Sequence, residues 1–253
     1  MQLFFRKQGE GFPLVILHGL FGTADNWNTL GKSYAAHFCT YLVDQRNHGQ
    51  SFHSDEWNYR AMVEDLKNLL DAEGIEKAHI MGHSMGGKTA MLFAITYPER
   101  VERLIISDIA PRYYSPHHQQ IIAALKAVDL NVVKSRKEAE QALFSVLDDV
   151  GTGMFLLKNL YWKSEGELAW RFNLEAIVTQ IENVGEQIPS EAHYEGETLF
   201  VRGGNSGYIK ERDEEDIRRI FSHVHIVTIE GAGHWVHAEK PQEYVETTLA
   251  FLR

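Results

Sequence analysis

Gly82-His83-Ser84-Met85-Gly86 sets a serine between two glycines, directly after the apolar run Ala78 to Met81 and directly before a helical pattern. A strand-to-helix turn at that spacing lifts the serine hydroxyl out at the strand's end, where it can act as a nucleophile. Glycine suits both flanks because backbone segments must approach closely there. The same stretch satisfies a competing pattern. Gly82 to Thr89 reads G-x-x-x-x-G-K-[ST], a loop that cradles phosphates, and Asp108 after Leu104-Ile105-Ile106-Ser107 supplies the expected strand-end aspartate. Acyl chemistry on Ser84 and nucleotide chemistry on Lys88, Thr89 and Asp108 are both open at this octapeptide.

The rest of the chain favours the serine. His18-Gly19-Leu20-Phe21-Gly22 ends an earlier apolar run. Acyl transfer needs two backbone N–H groups aimed at the developing oxyanion. Met85, which follows the nucleophile, supplies one; Leu20, or next to it Phe21, supplies the other. Gly231-Ala232-Gly233-His234-Trp235 follows the last apolar run and precedes the C-terminal helix. In a parallel sheet all strand C-termini lie on one edge, so His234 reaches the edge that carries Ser84 and can take its proton. A phosphate loop has no use for either segment.

A carboxylate is still needed to orient the imidazole. The loop Arg202 to Tyr208 contains no acid. Asp108 ends the strand beside the nucleophile strand and can reach His234 from there, so it is the assigned acid. Asp213 and Glu211, several residues further along, are the alternatives. The order Ser, Asp, His along the chain completes a triad of Ser84, His234 and Asp108.

These residues need a scaffold, and the sequence spells one. Apolar, β-branched runs recur at Leu3 to Lys7, Pro13 to His18, Phe38 to Asp44, Ala78 to Ser84, Arg103 to Asp108, Thr198 to Arg202 and Val224 to Glu230. Helical patterns separate most of them, with the clearest at 58–73 ahead of Gly74 and the last from Pro241. Alternating strands and helices predict an α/β fold with a mostly parallel sheet of about seven strands covered on both faces. The alternation breaks from 112 to 194, which reads as helices only, through Ile121 to Val128, Glu138 to Leu147, Met154 to Trp162 and Leu168 to Glu182. An insertion of that length is too long for a plain crossover and reads as a helical cap over a core of 1–111 and 195–253.

Composition sets the outer bounds. The chain has 253 residues, 35 acidic against 25 basic, for a net charge of −10, which disfavours a nucleic-acid footprint. The single cysteine, Cys39, excludes an intrachain disulfide framework and reads as a small core residue. Residues 1–20 show no signal-peptide pattern, and no apolar run is long enough to span a bilayer, so a cytoplasmic protein without a membrane span is expected. The thirteen histidines invite a metal check. His223 with His225, His117 with His118, and His234 with His237 are the close pairs, but none has a matching carboxylate or cysteine set and no H-E-x-x-H occurs. Neither metal nor cofactor is expected.

The chain resembles the α/β-hydrolase fold superfamily over almost its whole length, through His18 to Gly22, Asp44-Gln45-Arg46-Asn47-His48-Gly49-Gln50-Ser51, Gly82 to Gly87, and Gly231 to Trp235 with His237-Ala238-Glu239-Lys240-Pro241. Within it, the chain is most similar to the YbfF-type bacterial esterases, sharing Ser107-Asp108-Ile109-Ala110-Pro111, Trp170-Arg171-Phe172-Asn173 and the acid-free Gly203-Gly204-Asn205-Ser206. The resemblance implies hydrolysis of a carboxylic ester or an acyl thioester such as acyl-CoA, with the acid and the cap after the sixth strand of an eight-strand sheet. Ser206 stands where many such hydrolases carry the acid. Seven strands are countable here, so an N-terminal edge strand is missing.

The residues admit other readings. Haloalkane dehalogenases and epoxide hydrolases carry aspartate at the elbow, which Ser84 excludes. Carbon–carbon bond hydrolysis or a lyase reaction on the same triad is the enzymatic alternative, and a non-catalytic binding protein is the other. Asp44 to Ser51 is dense and polar, yet reads as a hydrogen-bonded loop bracing the site. His83, Phe21, Trp235, Trp162 and Arg171 are the substrate-binding candidates. Most cap aromatics at helical spacing are expected to be cap core. Arg171 and Arg112 either hold an anionic leaving group or join cap to core.

Overall fold

The protein is described here by a computed structural model covering residues 1–115 and 118–253. Short β-branched runs bounded by turn residues form the first strands, β1 (Phe5–Gln8), β2 (Pro13–Leu17) and β3 (Cys39–Val43), with helix α1 (Asn28–Tyr34) between the last two. Helix α2 (Tyr59–Ala72) starts where the Asn58 side chain accepts the Ala61 N–H. That bond satisfies one of the orphan donors of the first turn. Its apolar face, Met62, Val63, Leu66, Leu69 and Leu70, is buried. Strand β4 (Ala78–His83), helix α3 (Met85–Thr96) and strand β5 (Val101–Ser107) follow.

After β5 the chain leaves the sheet. Helices α4 (Gln119–Ala127), α5 (Arg136–Phe144) and α6 (Val150–Leu157) come first, then strands β6 (Leu160–Ser164) and β7 (Glu167–Trp170), then α7 (Leu174–Thr179). The hairpin differs from the all-helical reading. The helices expected over Met154 to Trp162 and Leu168 to Glu182 stop short on either side of it. Tyr161 and Trp162 favour an extended chain, and Gly166 at φ 75° supplies the left-handed turn residue that closes the antiparallel pair. Apolar residues at 156, 157, 160 and 161 imitate helical spacing, which hid the switch of period.

The chain re-enters the sheet as β8 (Thr198–Gly203), followed by α8 (Glu214–Ile220), β9 (Val224–Ile229), α9 (Val236–Glu239) and α10 (Pro241–Leu252). The seven-stranded sheet runs β1-β3-β2-β4-β5-β8-β9, parallel except for β1. The strand order reverses direction between β2 and β4, so loops after these strands diverge and leave a crevice at their carboxyl ends. One buried cluster fills the β2–β4–β5 face beneath α2 and α3, and another lies under α1 and α10. A third joins cap residues Leu125, Leu143, Leu156 and Phe172 to Phe21 and Met85 beside the elbow. Cap packing is therefore continuous with the loops that carry the candidate chemistry.

Candidate active site

Ser84 sits between β4 and α3 at φ 52°, ψ −116°, a conformation that only a tightly determined turn imposes on a non-glycine residue. A Cβ on Gly82 would collide with the Gly86 carbonyl, and one on Gly86 with the carbonyls of Leu17 and His18. Glycine is thus required on both sides for this turn to close. The Ser84 N–H donates to the Ser107 carbonyl at 3.0 Å, locking the turn to β5. Three further non-glycine residues with positive φ, Phe21, Asn47 and Asp108, lie in the loops around it.

Asp108 is wholly buried at the end of β5. Its carboxylate accepts three hydrogen bonds: from His234 Nδ1 at 2.8 Å, from the Gly203 N–H at 3.0 Å, and from the Ser206 hydroxyl. Ser206, in the acid-free loop, is therefore a donor to the acid rather than its substitute. Asp213 and Glu211 are not at this place. Asp213 is buried against Arg112 Nε at 3.1 Å, and Glu211 is exposed on a short 3-10 turn.

His234 is fixed from other directions as well. Tyr208 stacks on its ring, with centroids 3.8 Å apart and planes 16° apart. His83 Nε2 donates to the His234 carbonyl at 2.9 Å. Burial holds the His83 ring neutral, its pKa well below the ordinary histidine value. His83 thus lines the cavity and holds the histidine loop. Tyr208 had no motif to announce it; its only signal is an aromatic in the loop already marked by its lack of an acid.

The loop after β2 is braced by histidines. Gly19 packs on the elbow, where an added Cβ would lie 2.8 Å from His83 Nδ1. His18 Nδ1 donates to the Gly19 carbonyl at 2.8 Å, and its Nε2 accepts the Gln45 N–H at 3.0 Å. The Phe21 N–H donates to His48 Nε2 at 3.1 Å. It is therefore already spent, whereas among the described residues the Leu20 N–H has no protein acceptor. Met85 heads α3, where a first-turn N–H has no intrahelical partner. Burial lowers His18 to about 4 and His48 to about 3, keeping both neutral acceptors. Asp44 accepts the Ala24 and Gln50 N–H groups at 2.6 and 2.8 Å, and Arg46 pairs with Asp65, so the 44–51 loop acts as a brace.

Ser84 and His234 border one cavity of about 270 Å³, together with His83, Phe21 and Trp235. Two substrate candidates lie elsewhere. Trp162 is 47% exposed on the hairpin, and Arg171 lays its guanidinium over the Tyr161 ring at 4.6 Å. Neither side chain borders the cavity. Arg112 joins the base of the cap to the core by pairing with Asp213, while its guanidinium lies over the Tyr114 ring at 3.9 Å.

Lys88 removes the phosphate-loop geometry. It is fully buried, and its ammonium donates to the carbonyls of Pro111, Arg112 and Glu186 at 3.2, 2.6 and 2.5 Å. Thr89 donates inward to Gln45 Oε1 at 3.0 Å. Neither side chain faces a site where phosphate could bind. Burial, with Arg112 nearby, lowers Lys88 to about 7. Among the described residues no three His, Cys, Asp or Glu side chains converge as a metal-binding set, and His117 lies outside the described residues. Nor, among them, is any helix long and apolar enough to cross a membrane.

Residues 13–241 match the α/β hydrolase fold family. The chain belongs to that family. Among relatives of this α/β hydrolase, the sn-1-specific diacylglycerol lipase of Mus musculus is 40% identical over 247 residues, covering 94% of this chain and 80% of the relative. Esterase YbfF of Escherichia coli is 37% identical over 250 residues, covering 98% and 95%. A solved marine microorganism esterase superposes with a TM-score of 0.96 at 44% identity, covering 99% of both chains. These relatives support carboxylic ester hydrolysis as the family-level activity of this α/β hydrolase.

Proposed function

We propose that the protein is a serine hydrolase that cleaves acyl esters through an acyl-enzyme, with Ser84 as nucleophile, His234 as general base and Asp108 as the orienting acid. The observation that carries this reading is the bond from His234 Nδ1 to the buried Asp108 carboxylate, on a histidine that shares a cavity with the strained Ser84. With its Nδ1 proton held there, His234 presents Nε2 as the lone-pair acceptor. Ser84 Oγ attacks the acyl carbon while its proton passes to His234. Collapse of the tetrahedral intermediate breaks the acyl–oxygen bond, and His234 returns the proton to the departing alcohol. Water, activated by the same imidazole, then releases the carboxylic acid and restores Ser84.

The Leu20 and Met85 N–H groups hold the oxyanion, each donor contributing about 3–4 kcal/mol. Phe21 does not share this role, because its N–H is bound to His48. The same route is competent for an acyl thioester, including acyl-CoA. Residues 112–194 form the cap over this centre, and 1–111 with 195–253 form the catalytic core. Acid-quenched turnover of p-nitrophenyl acetate tests the route. The expected result is a burst of nitrophenolate with an acetyl group on Ser84; linear product formation by a Ser84→Ala variant at the wild-type rate would refute it.

A further inference from the structure

Two chambers meet at Ser84. The larger, about 270 Å³, is bordered by His234, Trp235, Trp27, Ile121, Phe155 and Leu156. The smaller, about 30 Å³, is bordered by Met85, Tyr59, Ile109, Tyr114 and Val184. Both include Ser84 and Leu20, but only the larger includes His234 and only the smaller includes Met85. A water-sized group needs about 10–15 Å³ on this scale, so the smaller chamber takes two or so.

Its walls are pinned. The Tyr59 hydroxyl donates to the Val184 carbonyl at 2.8 Å. The Tyr114 hydroxyl donates to the Tyr208 carbonyl at 2.6 Å and accepts the Ala110 N–H at 2.8 Å. Widening the chamber would break buried hydrogen bonds, and each group left unpaired costs about 1–3 kcal/mol.

The chemistry decides which half of an ester goes where. His234 must hand a proton to the leaving oxygen, so the leaving group lies in the chamber His234 borders. The acyl carbon is bonded to Ser84 Oγ with its oxygen at the Leu20 and Met85 N–H groups; with the leaving group in the larger chamber, the acyl tail takes the other space that meets Ser84, the smaller chamber. Among the described residues no lysine or arginine lines the larger chamber, and burial keeps its His18 and His237 neutral, at about 4 and about 3. Arg112 and Arg171 are engaged elsewhere.

Resting on the serine-hydrolase reading, we infer that the preferred substrates are esters of a short acyl group, about two to four carbons, with a long, uncharged, apolar alcohol. The two halves are sorted by size across Ser84, and a charged leaving group such as coenzyme A is disfavoured.

Octyl acetate and ethyl octanoate are isomers that place the long chain on opposite sides of the ester. The expected kcat/KM for octyl acetate exceeds that for ethyl octanoate by about tenfold or more, a difference of about 1.4 kcal/mol. Equal values, or the reverse order, overturn the inference and leave the serine-hydrolase reading intact. If neither isomer is cleaved while a fluorophosphonate still labels Ser84, the inference alone falls; if Ser84 is not labelled, both fall. Octyl acetate should likewise outpace acetyl-CoA by about tenfold, and the opposite ranking overturns the uncharged leaving group. Val184→Ala widens the smaller chamber and should raise the hexanoate-to-acetate rate ratio several-fold; an unchanged ratio overturns the acyl assignment.

Discussion

Asp108→Asn changes one atom, and the surroundings of Asp108 dictate what that atom does. In the native site Oδ1 accepts the Gly203 N–H, while Oδ2 accepts from both His234 Nδ1 and Ser206. An asparagine that keeps its oxygen toward Gly203 presents an amide N–H₂ to His234. The imidazole must then accept at Nδ1 and carry its proton on Nε2, where it can no longer take the Ser84 proton. The opposite amide orientation preserves the working tautomer but sets an amide donor against the Gly203 N–H. Leaving that buried donor unpaired costs about 1–3 kcal/mol, so the working form is reduced about 5- to 150-fold. The lost carboxylate charge no longer stabilises the imidazolium. The comparable substitution in the serine protease triad lowers turnover by about 10⁴, a barrier increase of about 5.5 kcal/mol. We therefore expect kcat for p-nitrophenyl acetate to fall by about 10³–10⁴ with the thermal midpoint shifted little. Asp213→Asn, which disturbs contacts with Arg112, Arg212 and the Lys210 N–H away from His234, should keep turnover within about threefold of wild type. An Asp108→Asn enzyme that keeps a tenth of its turnover, or an Asp213→Asn enzyme that loses as much as Asp108→Asn, would refute the placement of the acid.

Lys88→Met should cost about 3 kcal/mol of stability in urea unfolding, because three carbonyls at the junction of core and cap lose their donor. Wild-type protein should show no saturable magnesium-ATP binding by calorimetry; binding that Lys88→Met abolishes would revive nucleotide chemistry. Acid should destabilise the fold early. His18, His48 and His237 are buried neutral, at about 4, 3 and 3 against an ordinary 6.5. As pH falls below 6.5 the unfolded chain binds protons that the folded chain refuses, so unfolding becomes easier, by up to about 1.4 kcal/mol per pH unit for each histidine until about pH 4. Urea midpoints at pH 7, 6 and 5 measure this, and a flat profile would contradict the neutral rings.

Much of this was legible because each feature of the proposed site coincides with a local rule. The seven sheet strands announce themselves as β-branched runs, and Ser84 and His234 sit in glycine-bounded turns at strand ends. Asp108 could be named from an absence, the acid-free Gly203 to Ser206. What escaped was whatever depends on register or side-chain direction. The β6–β7 hairpin was masked by apolar residues at helical spacing, and with it went the direction of Trp162 and Arg171. Tyr208 reaches His234 only because its loop folds back over the Asp108 carboxylate. Lys88 fits a phosphate-loop pattern perfectly in sequence, yet one helical turn past Ser84 its side chain points into the core. The choice between Leu20 and Phe21 likewise needed His48, which lies more than twenty residues away in sequence and takes the Phe21 N–H.

The identity of the nucleophile underlies every step above. A fluorophosphonate probe reacts with a serine only when a base activates its hydroxyl. Peptide mapping after labelling of the folded protein should place one phosphonyl group on Ser84 and none on Ser84→Ala or heat-denatured protein. A folded wild-type protein that carries no adduct at Ser84, or carries it on another serine, would contradict the account.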